Sequence, residues 1–417
     1  MTAIKIHPPI IEAITQCLKP ILEEGKVADK EVGAFLKQHK QFGARDRSMI
    51  AESVYDIIRW KLKYVYQLEQ TFPQFTYYKQ LLAVSLLNRN YEIKNPEAFG
   101  ITLEEIKVLE KAIELLISEK YIEQSYPENF YDFCLQQIGE EWHEWAKALN
   151  QTPNIFIRAN TLKTTTAKLL SVLENEQINT AFAETINIPA IAKPIEVIQI
   201  FSKNNLKNST FYKSGLFEFQ DIGSQAIGSF IINNIQHKMQ IQNLSVLDLC
   251  AGAGGKSLHL SALMQNKGKI IATDYQASRL KNLSIRANQA GCQNIEVVDF
   301  NAAKNIKDLD VILIDAPCSG SGTFRRQADL KYKITAEKIQ EYTKIQANLL
   351  QEHSKKLSKN GKIIYATCSI LLQENQLQIK HFLSKNQHFI LENEVQLLPT
   401  NYSGDGFYMA CLALKKK

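Results

Sequence analysis

At roughly 100–200 residues per domain, the 417 residues make two to four domains, and 45% hydrophobic with 22% charged residues exclude wholesale disorder. No run of about 18 apolar residues occurs, and MTAIKIHPPI lacks the basic-then-apolar order of a secretory signal, so a membrane span is excluded and a cytoplasmic location expected. The net charge of +6 is uneven: residues 1–150 carry 18 basic and 22 acidic side chains and the remainder 31 and 21, which turns the second half toward a polyanion unless the excess is only a solvated surface.

Residues 1–150 read as an all-α domain. Between Asp46 and Tyr66, Ile50, Val54, Ile57, Ile58 and Val65 recur at helical spacing. Thr102 through Glu105 form a capping box, followed by Ile106, Leu109, Ile113 and Leu116 on one stripe. Prolines at 73, 96, 127 and 153 punctuate the series. Residues 151–215 then form a small α+β segment. Its strand is Asn154–Asn160, its helix Thr164–Glu176, and Ile188–Ile200 is irregular or strand.

From Ser245 onward, short apolar strands alternate with helices. Strands are predicted at Val246–Cys250, Lys269–Asp274, Ile295–Asp299, Val311–Asp315, Lys362–Ala366 and Phe407–Leu414. Helices fit at Lys256–Gln265, Gln276–Ala290, Thr335–Leu357 and Gln373–Ser384. That alternation specifies a doubly wound, mostly parallel α/β sheet of Rossmann-like type over residues 216–417. Cys250-Ala251-Gly252-Ala253-Gly254-Gly255-Lys256 closes the first strand, and its glycines let a ligand approach backbone at a helix N-terminus. Asp248, Asp274, Asp299 and Asp315 stand at successive strand ends, the carboxyl edge where such sheets bind ligands. Asp274, twenty residues past Gly254, is placed to accept ribose hydroxyls, so an adenosine-containing cofactor is expected. Aspartates also cap helices at such places, so one or two of the four have a structural reading.

Seven cysteines without CxxC pairs argue against a disulfide framework and against a metal site. Cys318, in DAPCSG after the fourth strand, and Cys368, in ATCS after the fifth, lie in loops beside the cofactor edge. A thiolate, a carboxyl and an adenosine cofactor together suit methylation of cytosine carbon 5. Thiolate addition to carbon 6 makes carbon 5 enamine-like, and a protonated Asp at ring N3 takes up the displaced electron density. The residues alone leave open which cysteine attacks.

LDLCAGAGGKS, IDAPCSGSGTFRR and YATCSILLQEN resemble the RsmB/Nop/Sun (Fmu-like) family of S-adenosylmethionine-dependent RNA cytosine-5 methyltransferases. RANTLK, FEFQDIGSQ and DGFYMACL extend the likeness, most closely to the bacterial 16S ribosomal RNA type. GARDRSMIAESVYDIIRW is similar, more loosely, to the NusB-like helical RNA-binding domain of the ribosomal members. The resemblance implies that Cys250 through Lys256 cradle S-adenosylmethionine, with Asp274 at the ribose and Asp299 at the adenine side. It implies Asp315 between cofactor and base, Lys256 in the catalytic set, Cys368 as nucleophile and Cys318 in product release. The glycine loop departs from the family's CAAPGGK, and Lys359-Asn360-Gly361 replaces a PGG turn; both changes keep turn-forming residues.

Arg158, Lys163, Arg325 and Arg326 are the expected RNA contacts, with ribosomal RNA or an assembling subunit as partner and a monomeric protein. Alternatives are the same chemistry on transfer RNA or large-subunit RNA, an NAD-dependent oxidoreductase, or a catalytically retired RNA-binding module. The oxidoreductase leaves both loop cysteines without a purpose.

Overall fold

Helical periodicity builds the first part of the chain. In the computed structural model, which describes residues 2–72, 77–192, 194–201, 206–235 and 239–415, helix Ala44–Arg59 buries Ile50, Val54, Ile57 and Ile58. They pack with Ile14 and Leu18 of helix Pro8–Glu23 and with Leu81, Leu82 and Val84 of helix Tyr77–Asn88 in one core. The single helix expected over 46–66 is two, because Trp60 leaves helical geometry (φ −111°, ψ 20°) before Lys61–Glu69 resumes. The capping box is formed reciprocally: Glu105 N–H donates to Thr102 Oγ1 (3.2 Å) and Thr102 N–H to Glu105 Oε2 (2.6 Å). The all-α expectation is corrected by a short parallel pairing of Thr2–Ile4 with Tyr91–Ile93. Pro73 lies outside the described residues.

The chain divides into two units, Met1–Gln151 with Phe324–Thr335, and Thr152–Thr323 with Ala336–Lys417. The small segment and the α/β sheet thus share one unit, and twelve residues following the first cysteine loop belong to the helical one. Those residues are a working part of its core. Phe324 is fully buried, 5.9 Å from the Tyr126 ring and 5.8 Å from the Phe130 ring. Lys331, also fully buried, donates to Arg59 O (2.7 Å) and Asn150 Oδ1 (2.9 Å) and sits 4.4 Å over the Tyr126 ring. No apolar periodicity of the α/β sheet reaches this stretch, so nothing in it marks which unit it joins.

In the second unit, strands Thr180–Ile186, Ile195–Ile200, Ile155–Ala159 and Phe217–Phe219 form, in that order, an antiparallel sheet. Helix Thr166–Asn175 covers it through Leu169 and Leu173. The large sheet has seven strands: β1 Ser245–Asp248, β2 Lys269–Ala272, β3 Ile295–Val297, β4 Leu309–Asp315, β5 Leu357–Thr367, β6 Phe389–Leu397 and β7 Phe407–Leu414. Their order is β6-β7-β5-β4-β1-β2-β3, with only the pairings of β7 antiparallel. Side chains alternate between the two faces along each strand. Val246, Leu313, Ile364 and Met409 meet helix Ile222–Ile235, while Leu247, Ile312, Ile363 and Ala410 join Leu350, Ile379 and Phe382 of the helices opposite. Strand order reverses between β1 and β4, so a crevice opens at their carboxyl ends, where ligands bind in open α/β sheets.

Candidate active site

The β1 loop is shaped by its glycines. Gly252 (φ +54°) and Gly254 (φ +88°) take left-handed backbone, and a Cβ on Gly254 would lie 2.6 Å from Leu283 Cγ. Asp274, just past β2 and buried, grips the turn: its Oδ2 accepts Gly252 N–H (3.0 Å) and its Oδ1 accepts Gln276 N–H (2.8 Å). A Cβ on Gly252 would stand 4.0 Å from Asp274 Oδ2, an ordinary contact, so the turn and the carboxylate lie side by side. Ala251 N–H bonds Thr273 O (2.9 Å), and Ala253 O accepts from Arg286 Nη1, whose Nη2 pairs with Glu218 (2.7 Å). Arg286 fastens the loop, and sequence reasoning missed it because a lone helical arginine carries no motif.

Beneath the loop, Asp248 is fully buried. Ser257 Oγ donates to its Oδ2 (2.6 Å), and its Oδ1 has no partner. Burial pushes this carboxyl up to about 7. Cys250 is half-buried, its thiol raised well above the ordinary range by burial first and by Asp315 second.

Lys256 Nζ lies 2.5 Å from Asp315 Oδ2 at the end of β4. Burial alone lowers an ammonium pKa, yet Lys256 is raised, because the charge of Asp315 and the hydrogen bond to it outweigh desolvation. The pair stands at the carboxyl end of β4, with Asp315 about a quarter exposed.

Parallel register sets Asp315 beside Ala366, and the two chains run on into the cysteine loops. Cys318 Sγ and Cys368 Sγ are 3.4 Å apart, both half-buried. The Cys318 thiol is pushed well above its ordinary value, by the contact with Cys368 first and by burial second. Cys318 therefore holds its proton tightly, and Cys368 interacts electrostatically with the Lys256 ammonium. Glu374 and Asn375 are both fully buried: Glu374 bonds both loops, through Ser319 and Ser369, and Asn375 bonds only the second, through Thr367 and Ser369. The quoted LLQEN segment contained both, but spacing alone gave them no role.

The remaining expected site residues divide into exposed and buried ones. β3 ends at Val297, so Asp299 is not a strand end; it is exposed and caps helix Phe300–Ala303, its Oδ1 accepting Asn301 N–H (2.8 Å). Arg158 as a phosphate contact is corrected: it is buried, its Nε bonded to Gln220 Oε1 (2.6 Å), and burial lowers it to about 10. Arg325 is corrected likewise, being buried in the helical unit with Nε on Ala148 O (2.7 Å). Both follow from the same cause: an arginine beside an apolar strand or segment can turn its fork inward to backbone and amide acceptors. Lys163 is exposed and donates to Ser214 O and Gln289 O (2.7 Å each), which leaves one N–H of the ammonium. Arg326 is exposed. Among the described residues no cluster of metal-ligating side chains occurs, and no helix is long and apolar enough to cross a membrane.

Residues 237–413 match the sequence family of the 16S rRNA methyltransferase RsmB/F, and residues 126–188 match the ferredoxin-like domain of RsmF/B-like methyltransferases. Ribosomal RNA small subunit methyltransferase B of Proteus mirabilis is 30% identical over 288 residues, 66% of this chain and 63% of that protein. A probable enzyme of the same name from Bacillus subtilis is 26% identical over 285 residues. The chain spans about 63% of the length of the first curated relatives it matches. Among solved structures, PH0851 is similar over 98% of this chain and 99% of its own, with a TM-score of 0.75 and 21% identity. NSun6 from Pyrococcus horikoshii, crystallised with SFG, covers 70% of this chain and all of its own at a TM-score of 0.59 and 19% identity. These likenesses show the methyltransferase fold.

Proposed function

We propose, for a chain whose residues 237–413 belong to the 16S rRNA methyltransferase RsmB/F family, that it methylates carbon 5 of a cytosine in small-subunit ribosomal RNA, with S-adenosylmethionine as donor. The observation that carries this reading is the 3.4 Å approach of two thiols at the carboxyl edge that also holds the Lys256–Asp315 pair. Neither hydride transfer nor passive RNA binding calls for that arrangement.

The cradle fits the donor. Asp274 retains lone pairs for two ribose hydroxyls, Asp248 Oδ1 is a buried polar atom without a partner, and the space beside Gly255 holds no atom within 4 Å of a Cβ position. When bound, S-adenosylmethionine supplies an electrophilic methyl group. Cys368 loses its thiol proton to water and adds as the thiolate to carbon 6 of the base, beside the ammonium of Lys256. Asp315 takes a proton from the Lys256 ammonium across their hydrogen bond and delivers it to ring N3, neutralising the density pushed onto the ring. After methylation the carbon 5 proton is lost to water and the bond from Cys368 to carbon 6 breaks. The Cys318 S–H then donates to the departing sulfur, which is its part in product release. Lys163 and Arg326 are the exposed members of the expected RNA-contact set. Bisulfite sequencing of ribosomal and transfer RNA from a deletion strain tests the reading: one lost 5-methylcytosine in small-subunit RNA supports it. Loss from transfer or large-subunit RNA reassigns the substrate, and an unchanged 5-methylcytosine map refutes it.

A further inference from the structure

The two cysteine loops are not joined to each other by backbone ladder alone. Both converge on the side chain of Glu374, which lies in the turn before helix Gln376–Lys385 and has no exposed surface. Its Oε1 accepts Ser319 N–H (2.8 Å) and Gln346 Nε2 (3.1 Å). Its Oε2 accepts the hydroxyls of Ser319 and Ser369 (2.5 Å each). Ser319 follows Cys318 and Ser369 follows Cys368, so one carboxylate fixes the residue after each thiol. Gln346 also donates to Pro317 O (2.9 Å), the residue before Cys318, so that loop is held from both sides. A buried carboxylate with four donors is costly to remove, because each donor is then left unsatisfied.

We propose that Glu374 is a positioning residue that sets the separation of Cys318 and Cys368, an inference that rests on the methyltransferase reading for its catalytic consequence only. The two oxygens differ in a way that makes the idea testable. Oε1 faces N–H groups, which can only donate, whereas Oε2 faces two hydroxyls, which can turn and accept instead. Ser321 Oγ, 2.9 Å from Ser369 Oγ, can receive the redirected Ser369 proton. A glutamine with its oxygen at Oε1 and its amide nitrogen at Oε2 therefore satisfies the site. A methionine of similar volume fills the space and satisfies none of it.

The test compares Glu374→Gln and Glu374→Met in the full chain, each with a urea melt to establish folding. The first readout needs neither RNA nor cofactor: closure of the Cys318–Cys368 disulfide by diamide, whose azo group accepts the two electrons and two protons that the thiols lose. Wild type and Glu374→Gln should close at rates within about threefold of each other, and Glu374→Met at least about tenfold more slowly. The second readout is methylation: Glu374→Met should lose about a hundredfold in kcat at unchanged S-adenosylmethionine affinity, and Glu374→Gln should recover most of it. A folded Glu374→Met protein with wild-type disulfide closure and wild-type kcat overturns the proposal. Slow closure in Glu374→Met alongside absence of cytosine methylation by the wild type upholds the positioning role and removes the methyltransferase reading instead.

Discussion

Replacing Asp274 separates its two tasks in a way the structure makes quantitative. Each carboxylate oxygen accepts a backbone N–H, from Gly252 and from Gln276, within a buried side chain. Hydrogen bonds to charged acceptors contribute about 1.5–3 kcal/mol each, so Asp274→Ala should lower stability by about 3 kcal/mol before water recovers part of it. Asp274→Asn is not a mild substitute here. Its amide nitrogen must oppose one of two obligate donors, which costs about 1–3 kcal/mol for the group left unpaired. Cofactor affinity should fall at least about tenfold in both variants, because the ribose loses an acceptor and the turn that cradles it loosens. Urea denaturation of the cofactor-free protein reads the first effect, and calorimetric titration with S-adenosylmethionine the second. RNA affinity should hardly change. A variant Asp274→Asn with the wild-type urea midpoint and the wild-type cofactor Kd would refute the reasoning.

Gly254→Ala should destabilise through about 1–2 kcal/mol for left-handed backbone plus about 1–3 kcal/mol for the clash with Leu283; an unshifted urea midpoint contradicts this. Asp248, raised to about 7 in the fold, keeps a proton that the unfolded chain has already lost above about pH 4, so stability is fullest below that pH. Unfolding free energy should fall by about 1.4 kcal/mol per pH unit as pH rises toward 7, and Asp248→Asn should flatten that slope; urea melts at several pH values showing equal slopes count against it. A fragment of 152–417 should aggregate, because Phe324 and Lys331 lose the helical core that buries them, whereas replacing 324–335 by a Gly-Ser linker should restore solubility. Equal solubility of the two fragments contradicts that assignment.

The sheet was legible because β1, β2 and β4 are short apolar runs ending in or just before an aspartate, the strongest local pattern a parallel strand has. β6 was missed. Its FILENEVQL sequence interleaves acidic residues, as an edge strand with one wet face does, and reads as polar loop. Helix Ile222–Ile235 was missed for the opposite reason, being apolar on nearly every side because it lies buried on the sheet. The cysteines were found by their loops, and the structure adds their 3.4 Å separation. The inward turn of Arg158 and Arg325 could not be read from charge, since burial of a guanidinium depends on acceptors supplied from distant parts of the chain: Gln220 for one and Ala148 O for the other. Glu374 escaped notice on similar grounds, its partners lying 5, 28 and 55 residues away.

The central claim is that Cys368 attacks the base while Cys318 releases it. Incubating wild type, Cys368→Ala, Cys318→Ala and the double variant with S-adenosylmethionine and ribosomal RNA, with and without 5-fluorocytosine, and resolving protein–RNA adducts on denaturing gels tests this directly. Wild type should form an adduct only with the fluorinated RNA, Cys318→Ala should form one with ordinary RNA, and both variants lacking Cys368 should form none. An adduct that persists in Cys368→Ala and disappears in Cys318→Ala would reverse the two roles, and absence of adducts in every sample would contradict covalent catalysis by this chain.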